Sequence, residues 1–348
     1  MTTDTSKVPG AKQISSPLVE CVPNFSEGQD DGIIAAIAGS IQNVPGVKLL
    51  SVEPDKDYNR CVVTFVGEPE SVKEAAFQST RTAAGLIDMR NHSGQHPRLG
   101  ATDVVPFIPI SGVTMDDCKQ LANEFGKRVA GELCIPVYLY EEAARTPERR
   151  NLATVRKGEY EGLAEKLKDP AWRPDYGEPV LNVRSGATIT GARVFLIAYN
   201  VNLKTNNKDI AHQIALSIRE SGRTVKDAAG TSVKIPGTLK SVKAMGVLLE
   251  RYNIAQVSIN LTNFNVTPPH VAFEEVKKEA HKLGVEVTGS EVVGLIPKEA
   301  LLLAGKYYAS SGADRVSEDS LIKKAIDCLG LSQLDLFDPK KKIIEYMI

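Results

Sequence analysis

Val47-Lys-Leu-Leu-Ser-Val-Glu53 and Cys61-Val-Val-Thr-Phe-Val66, separated by the polar run Pro54-Asp-Lys-Asp-Tyr-Asn-Arg60, are the residues whose reading decides the fold. Both are short apolar runs rich in β-branched residues, and they read as two strands joined by a loop. Upstream, Pro17-Leu-Val-Glu-Cys-Val-Pro23 is another apolar run, ended by a proline, and Ile33, Ile34, Ile37, Ile41 and Val44 fall on one helical stripe. Downstream, a helix from about Pro69 to Met89 and a strand from Asp103 to Ile110 complete the order β-α-β-β-α-β.

The order recurs. Ala192 to Leu203 reads as a strand, and Lys208 to Glu220 as a helix with Ile210, Ile214 and Ile218 aligned. Ala244 to Leu249 and Ala255 to Leu261 read as two strands, His270 to Leu283 as a helix and Val285 to Val293 as a closing strand. Two such units predict an α+β protein of two ferredoxin-like (split β-α-β) subdomains with mixed or antiparallel sheets. The N-terminal one is extended by a helix near Met115 to Leu133 and a strand at Ile135 to Tyr140. Glu141 to Lys168 is charged and helical in pattern, Pro170 to Gly191 is rich in Pro and Gly, and the boundary falls near residue 192. The expected division is a disordered tail over 1–16, an N-terminal subdomain over 17–192 and a C-terminal one over 193–348. The last carries helices at Pro297 to Ala309 and Ser317 to Leu329, and an end, Lys342 to Ile348, that docks as a strand.

The chain of 348 residues carries 42 Lys and Arg against 43 Asp and Glu, so no net field attracts nucleic acid or an anionic membrane, and any anion site must be local. Cysteines at 21, 61, 118, 134 and 328 form no Cys-x-x-Cys pair and have no His spaced to complete a zinc site; reduced thiols, a cytoplasmic location and no metal are expected. No apolar run approaches the ~18 residues of a membrane span, and the first residues lack the apolar core of a signal peptide.

Three segments carry the candidate chemistry. Asn91-His-Ser-Gly-Gln-His-Pro-Arg-Leu-Gly-Ala-Thr-Asp103 packs two of the five histidines, an arginine and an aspartate into a loop joining a helix to a strand. A histidine there suits proton transfer, and Pro97 restricts the backbone of His96; the plainer alternative is that His92 and His96 only hydrogen-bond loop carbonyls. In Glu53 to Arg60, a solvated turn fits Asp55, Lys56 and Asp57 better than Glu53, Asn59 or Arg60. Gly177 to Gly191, followed by Arg193, either lines a pocket at the domain junction or is a linker, and it lacks phosphate-loop spacing. His212, His270 and His281, on helices, read as structural or exposed.

Several short blocks then match one family. Val19-Glu-Cys-Val-Pro-Asn-Phe-Ser-Glu-Gly28, Asn59-Arg60 before Thr-Phe-Val-Gly67, Leu86-Ile-Asp-Met89 and His96-Pro-Arg98 resemble the glutamate formiminotransferase family. So do Asp103-Val-Val-Pro-Phe-Ile-Pro109, Pro136-Val-Tyr-Leu-Tyr140, Gly158-Glu-Tyr-Glu161 and Gly191-Ala-Arg193, all in order over about residues 17 to 348. The resemblance implies two subdomains with tetrahydrofolate, a co-substrate, in a cleft between them, and no metal. It implies His96 as the catalytic histidine and Glu53 as its acidic assistant, where animal members usually have aspartate. It places the folate-contacting loop on Gly177, Glu178, Pro179, Val180, Leu181, Asn182, Val183, Arg184, Ser185 and Gly186. Asn59, Arg60, Arg98, Arg193 and Lys204 are the expected substrate-binding residues, since both substrates carry carboxylates.

The implied reaction moves the formimino group of N-formimino-L-glutamate to N5 of tetrahydrofolate, in histidine breakdown and one-carbon metabolism. One histidine with a pKa near ~6.5 suits the two proton transfers it needs. Three alternatives stand beside it: a formyl donor (N-formylglutamate, or 5-formyltetrahydrofolate in reverse), a folate-binding protein without catalysis, and an RNA-binding pair of ferredoxin-like domains, which lacks the aromatic sheet motif. The expected partners are small molecules, the folate with or without a polyglutamate tail, rather than nucleic acid or membrane, and a symmetric dimer is the default assembly. Animal relatives fuse this unit to a cyclodeaminase, so cyclisation of the product is expected to need a separate protein.

Overall fold

In a computed structural model the described residues are 17–56, 58–94, 96–226, 231–309 and 316–348. The tail over 1–16 and Asp57 of the expected turn lie outside them. The chain divides into two compact units that meet at Arg193 and Val194.

The first unit holds β1 (Leu18–Cys21), β2 (Asn24–Phe25), α1 (Asp31–Gln42), β3 (Val47–Asp55), β4 (Arg60–Gly67), α2 (Pro69–Leu86), β5 (Thr102–Ser111), α3 (Met115–Leu133), β6 (Val137–Glu141), the short helices α4 (Leu152–Arg156) and α5 (Leu163–Lys166), and β7 (Thr188–Ala192). Each long helix starts on a local signal. Asp30 caps α1 through the amides of Gly32 and Ile33, Pro69 opens α2, and Thr114 and Asp117 form a reciprocal capping box on α3. The seven strands form one mixed sheet, with β3 on β4, β1 and β2 each between β4 and β5, and β7 parallel to both β5 and β6. Alternation along β5 divides its faces. Val105 and Phe107 enter the core with Phe65, Phe77 and Phe125 under the long helices, whereas Val104 joins Leu99, Tyr138, Tyr140 and Ile189 in a smaller core with Val155 and Leu163.

Two expectations need correction here. The expected strand from Ala192 to Leu203 is two strands in different units, β7 ending at Ala192 and β8 (Ile197–Leu203) beginning the second. The end of the apparent linker, with its β-branched Thr188-Ile-Thr190, is an interior strand. Gly191 lets it lie flat on β6, because a Cβ there would stand 2.3 Å from the Tyr140 carbonyl oxygen. The expected helix over Glu141 to Lys168 is broken into α4, α5 and a 3-10 turn at Pro147–Arg149, with Gly158 at φ 92° and Glu159 at φ 55° between them.

The second unit follows β8 with α6 (Lys208–Ile218), a separate hairpin of β9 (Arg223–Lys226) and β10 (Ser232–Ile235), β11 (Val242–Leu249), β12 (Ile254–Leu261), α7 (Pro269–Lys282), β13 (Val287–Val293), α8 (Lys298–Ala309) and α9 (Glu318–Leu329). Its four-stranded sheet is antiparallel throughout, in the order β11-β12-β8-β13. The β9–β10 hairpin, whose strands are four residues each and mostly exposed, has no apolar pattern that marks it in the sequence. The C-terminal segment, expected as a strand, forms the short helices α10 (Pro339–Lys342) and α11 (Ile344–Met347), and only buried Ile343 makes a bridge, to Ile296. Pro339 starts α10 with Asp338 as its cap, which takes those residues out of extended conformation. Among the described residues no helix is long and apolar enough to cross a membrane.

Candidate active site

The β3–β4 turn and the histidine loop are held together by one asparagine. Asn59 sits at φ 46°, a left-handed conformation that asparagine tolerates better than most residues. Its Oδ1 accepts from the Gly28 amide at 3.0 Å, its Nδ2 donates to the Ser93 carbonyl at 2.9 Å, and its own carbonyl accepts from His92 Nε2 at 2.9 Å. Gly28 and Gly94 permit this approach, since a Cβ would lie 2.1 Å from the Asp55 oxygen at one and 2.4 Å from the Tyr58 oxygen at the other. The side chain of Asn59, expected to bind substrate, is thus occupied by backbone.

His92 is fixed as well. Arg98 Nε donates to its Nδ1 at 3.2 Å, so the proton lies on Nε2 and the ring is neutral, as burial also favours. Arg98 is buried and spends its fork on two acids, with Nη1 donating to Glu159 at 3.0 Å and Nη2 to Glu161 at 2.6 Å. These groups line a polar cavity of about 470 Å³ with Ser93, Gly94 and Gly158.

His96 belongs to an adjoining pocket, lined also by Ser26, Tyr58, Arg60, Arg98 and Asp103. Tyr58 stands edge-on to the imidazole, with ring centres 6.3 Å apart. Burial, then the positive charges of Arg60 and Arg156, then that of Arg98, push the His96 pKa down to about 3, while the Pro97 carbonyl acts the other way. Arg60 is itself lowered to about 10, first by burial and then by Arg156. Arg156, on α4, is ion-paired with Asp103, whose other oxygen accepts from the Leu99 amide at 2.9 Å. Nε of both Arg60 and Arg156 is buried without a hydrogen-bond partner.

The expected folate loop is joined to this histidine loop by backbone. The Ala101 amide donates to the Ser185 carbonyl at 2.9 Å and the Ala187 amide to that of Leu99 at 3.1 Å. Gly100 and Gly186, at φ 68°, leave no room for a Cβ. Within the loop, Asn182 Oδ1 accepts from the amides of Arg184 and Ser185, and Tyr160 donates its hydroxyl to the Val183 carbonyl. Gly177 takes φ 86°, and Val180 and Val183 present their side chains outward, 67% and 53% exposed.

Other expected residues have other surroundings. Glu53 is exposed on β3, lines neither cavity, and its carboxylate makes no hydrogen bond or ion pair with another described residue. The acid set among the basic groups near His96 is Asp103. Arg193 follows Ala192, which is in register with Phe107, five residues beyond the Thr102 end of β5, or roughly 16 Å along the strand. There it hydrogen-bonds Tyr140. Lys204, in the second unit, pairs with Glu286 at 2.7 Å on an exposed surface. Sequence reasoning missed Arg156 because it and Asp103 are 53 positions apart, and no local pattern joins them.

The formiminotransferase domain, N-terminal subdomain, matches residues 18–193, and the formiminotransferase domain matches residues 198–348. The formimidoyltransferase-cyclodeaminase of Rattus norvegicus is 50% identical over 334 residues, covering 96% of this chain and 60% of that protein. That of Dictyostelium discoideum is 48% identical over 332 residues, covering 95% and 60%. The glutamate formimidoyltransferase of Streptococcus pyogenes serotype M1 is 47% identical over 291 residues, covering 84% of this chain and 93% of that protein. The chain therefore spans about 60% of the length of the relatives named for two activities.

Proposed function

This chain belongs to the formiminotransferase domain family, and from that premise we propose that it transfers the formimino group of N-formimino-L-glutamate to N5 of tetrahydrofolate. The observation that carries the reading is the placement of His96, an uncharged imidazole that shares a small pocket of about 10 Å³ with the guanidinium groups of Arg60 and Arg98, groups that recognise carboxylates. N5 attacks the formimino carbon, a C–N bond forms, and a tetrahedral centre results. The bond from that carbon to the glutamate nitrogen then breaks. His96 accepts the proton that N5 loses and delivers it to the departing nitrogen, so 5-formiminotetrahydrofolate and glutamate leave with no net proton change.

The exposed valines of the loop from Gly177 to Gly186 offer an apolar ledge for the folate ring system, on a loop whose end is zipped to the histidine loop through Leu99–Ala101 and Ser185–Ala187. Arg60 serves a substrate carboxylate. Asn59, His92 and Arg98 hold the loop that carries His96, and Glu53 has no assigned part. Each unit is read as a ferredoxin-like split β-α-β fold, a reading supported by the β11-β12-β8-β13 order of the second sheet.

The test is stoichiometry. Glutamate release should track tetrahydrofolate consumption one for one, and glutamate released without folate would overturn the reading in favour of a hydrolase.

A further inference from the structure

Arg60 shares the pocket of His96 and Asp103, Arg156 is ion-paired with that Asp103, and although the two side chains are only partly buried each keeps a buried Nε–H without an acceptor. Buried unsatisfied donors are rare, and two on neighbouring guanidinium groups describe a place from which a shared acceptor is missing. Asp103 offsets only one of the two charges, and its second oxygen is held by the Leu99 amide. Arg98, the third cation near His96, is neutralised by Glu159 and Glu161. The pair of Arg60 and Arg156 therefore retains one net positive charge next to the imidazole.

We propose that Arg60 and Arg156 form a seat for the α-carboxylate of the glutamyl substrate, with Asp103 as the positioning residue for Arg156, and that the seated carboxylate switches His96 on as a proton carrier. The proposal rests on the transferase reading above. A carboxylate has two oxygens and can bridge two guanidinium groups. The α-carboxylate is chosen on chemical grounds, because it lies two bonds from the nitrogen that His96 must protonate, while the γ-carboxylate lies farther away. A half-buried imidazole next to a pair of guanidinium groups that keeps one net positive charge is a weak base. Burial is the larger cause of that weakness and the cations add to it; an anion in place of the missing acceptor offsets the part the cations contribute, so the loaded site carries the stronger base. Of the other groups lining the pocket, Tyr58 stands edge-on to the imidazole and His92 is held neutral by its hydrogen bonds to Asn59 and Arg98.

The experiment is a histidine-selective NMR titration of the full chain, with and without tetrahydrofolate, in free form and with saturating L-glutamate, L-glutamine or isoglutamine. Glutamine keeps the α-carboxylate and isoglutamine replaces it by an amide. Glutamate and glutamine are expected to raise the pKa of His96 by about 1 to 3, as an opposite charge at close range does, and isoglutamine to leave it unchanged. Arg156→Met should abolish the rise while His92 titrates as before, and Arg156→Lys should restore part of it. A His96 titration that glutamate does not move, or that isoglutamine moves equally, overturns the proposal, and the wild-type series decides this even where a variant fails to fold. No turnover is needed. A shift without transfer activity would leave the seat standing and sink the transferase reading, and transfer without a shift would do the reverse.

Discussion

Burial and the neighbouring guanidinium groups hold His96 in its neutral form, and this makes the fold less stable in acid. In the folded protein His96 charges only near pH 3, whereas in the unfolded chain it charges near ~6.5. Between these values the unfolded state binds the extra proton, so stability is lost as pH falls through that window. His92 and His270, both lowered chiefly by burial, act with the same sign. Replacing His96 with Asn should remove its share, so the denaturant midpoint should drop less between about pH 7 and about pH 5 than in the wild type; an equal drop would show that the ring titrates normally. His96→Ala should lower kcat by ~10²-fold or more and leave folate affinity nearly unchanged, and undiminished turnover would end its role.

At the scale of elements, the site depends on how closely the β3–β4 turn meets the histidine loop. Gly94→Ala would put a Cβ 2.4 Å from the Tyr58 oxygen and push the two apart. The expected result is a loss of kcat/KM on the order of 10- to 100-fold with a cooperative melt retained, because small displacements of reacting groups are costly; full activity would show the approach to be incidental. In the folate loop, changing Val180 and Val183 together to Ser alters exposed side chains and should leave the melting temperature within error. It should raise KM for tetrahydrofolate more than for the glutamyl substrate, and an unchanged folate KM would remove the loop from the account. The β3–β4 pair is readable because both strands are apolar runs on either side of a polar turn, and α3 because its stripe runs unbroken from Met115 to Leu133. β7 was hidden because its five residues include a glycine and follow a Pro- and Gly-rich stretch, so composition outweighed pattern. The 141–168 segment has helical charge spacing, but the positive φ of Gly158 and Glu159 breaks it.

At the scale of the molecule, each unit has its own core, built around Phe65, Phe77, Phe107 and Phe125 in the first and around Tyr199, Val257, Ile259 and Val276 in the second. The fragment 194–348 should therefore unfold cooperatively when expressed alone, and a gradual, non-cooperative loss of structure would show that its core is incomplete. The repeat of strand and helix along the chain was legible because periodicity reports burial element by element. In the site, His96 and Arg60 were legible from residue type and loop context. The Asp103–Arg156 pair was not, since only the folded chain brings α4 to the start of β5. Transfer itself is tested by offering purified protein tetrahydrofolate with formiminoglutamate and formylglutamate in parallel and following the folate product by its absorbance. Faster turnover of formiminoglutamate is the predicted result, and a preference for formylglutamate, or silence with both donors, would contradict the account.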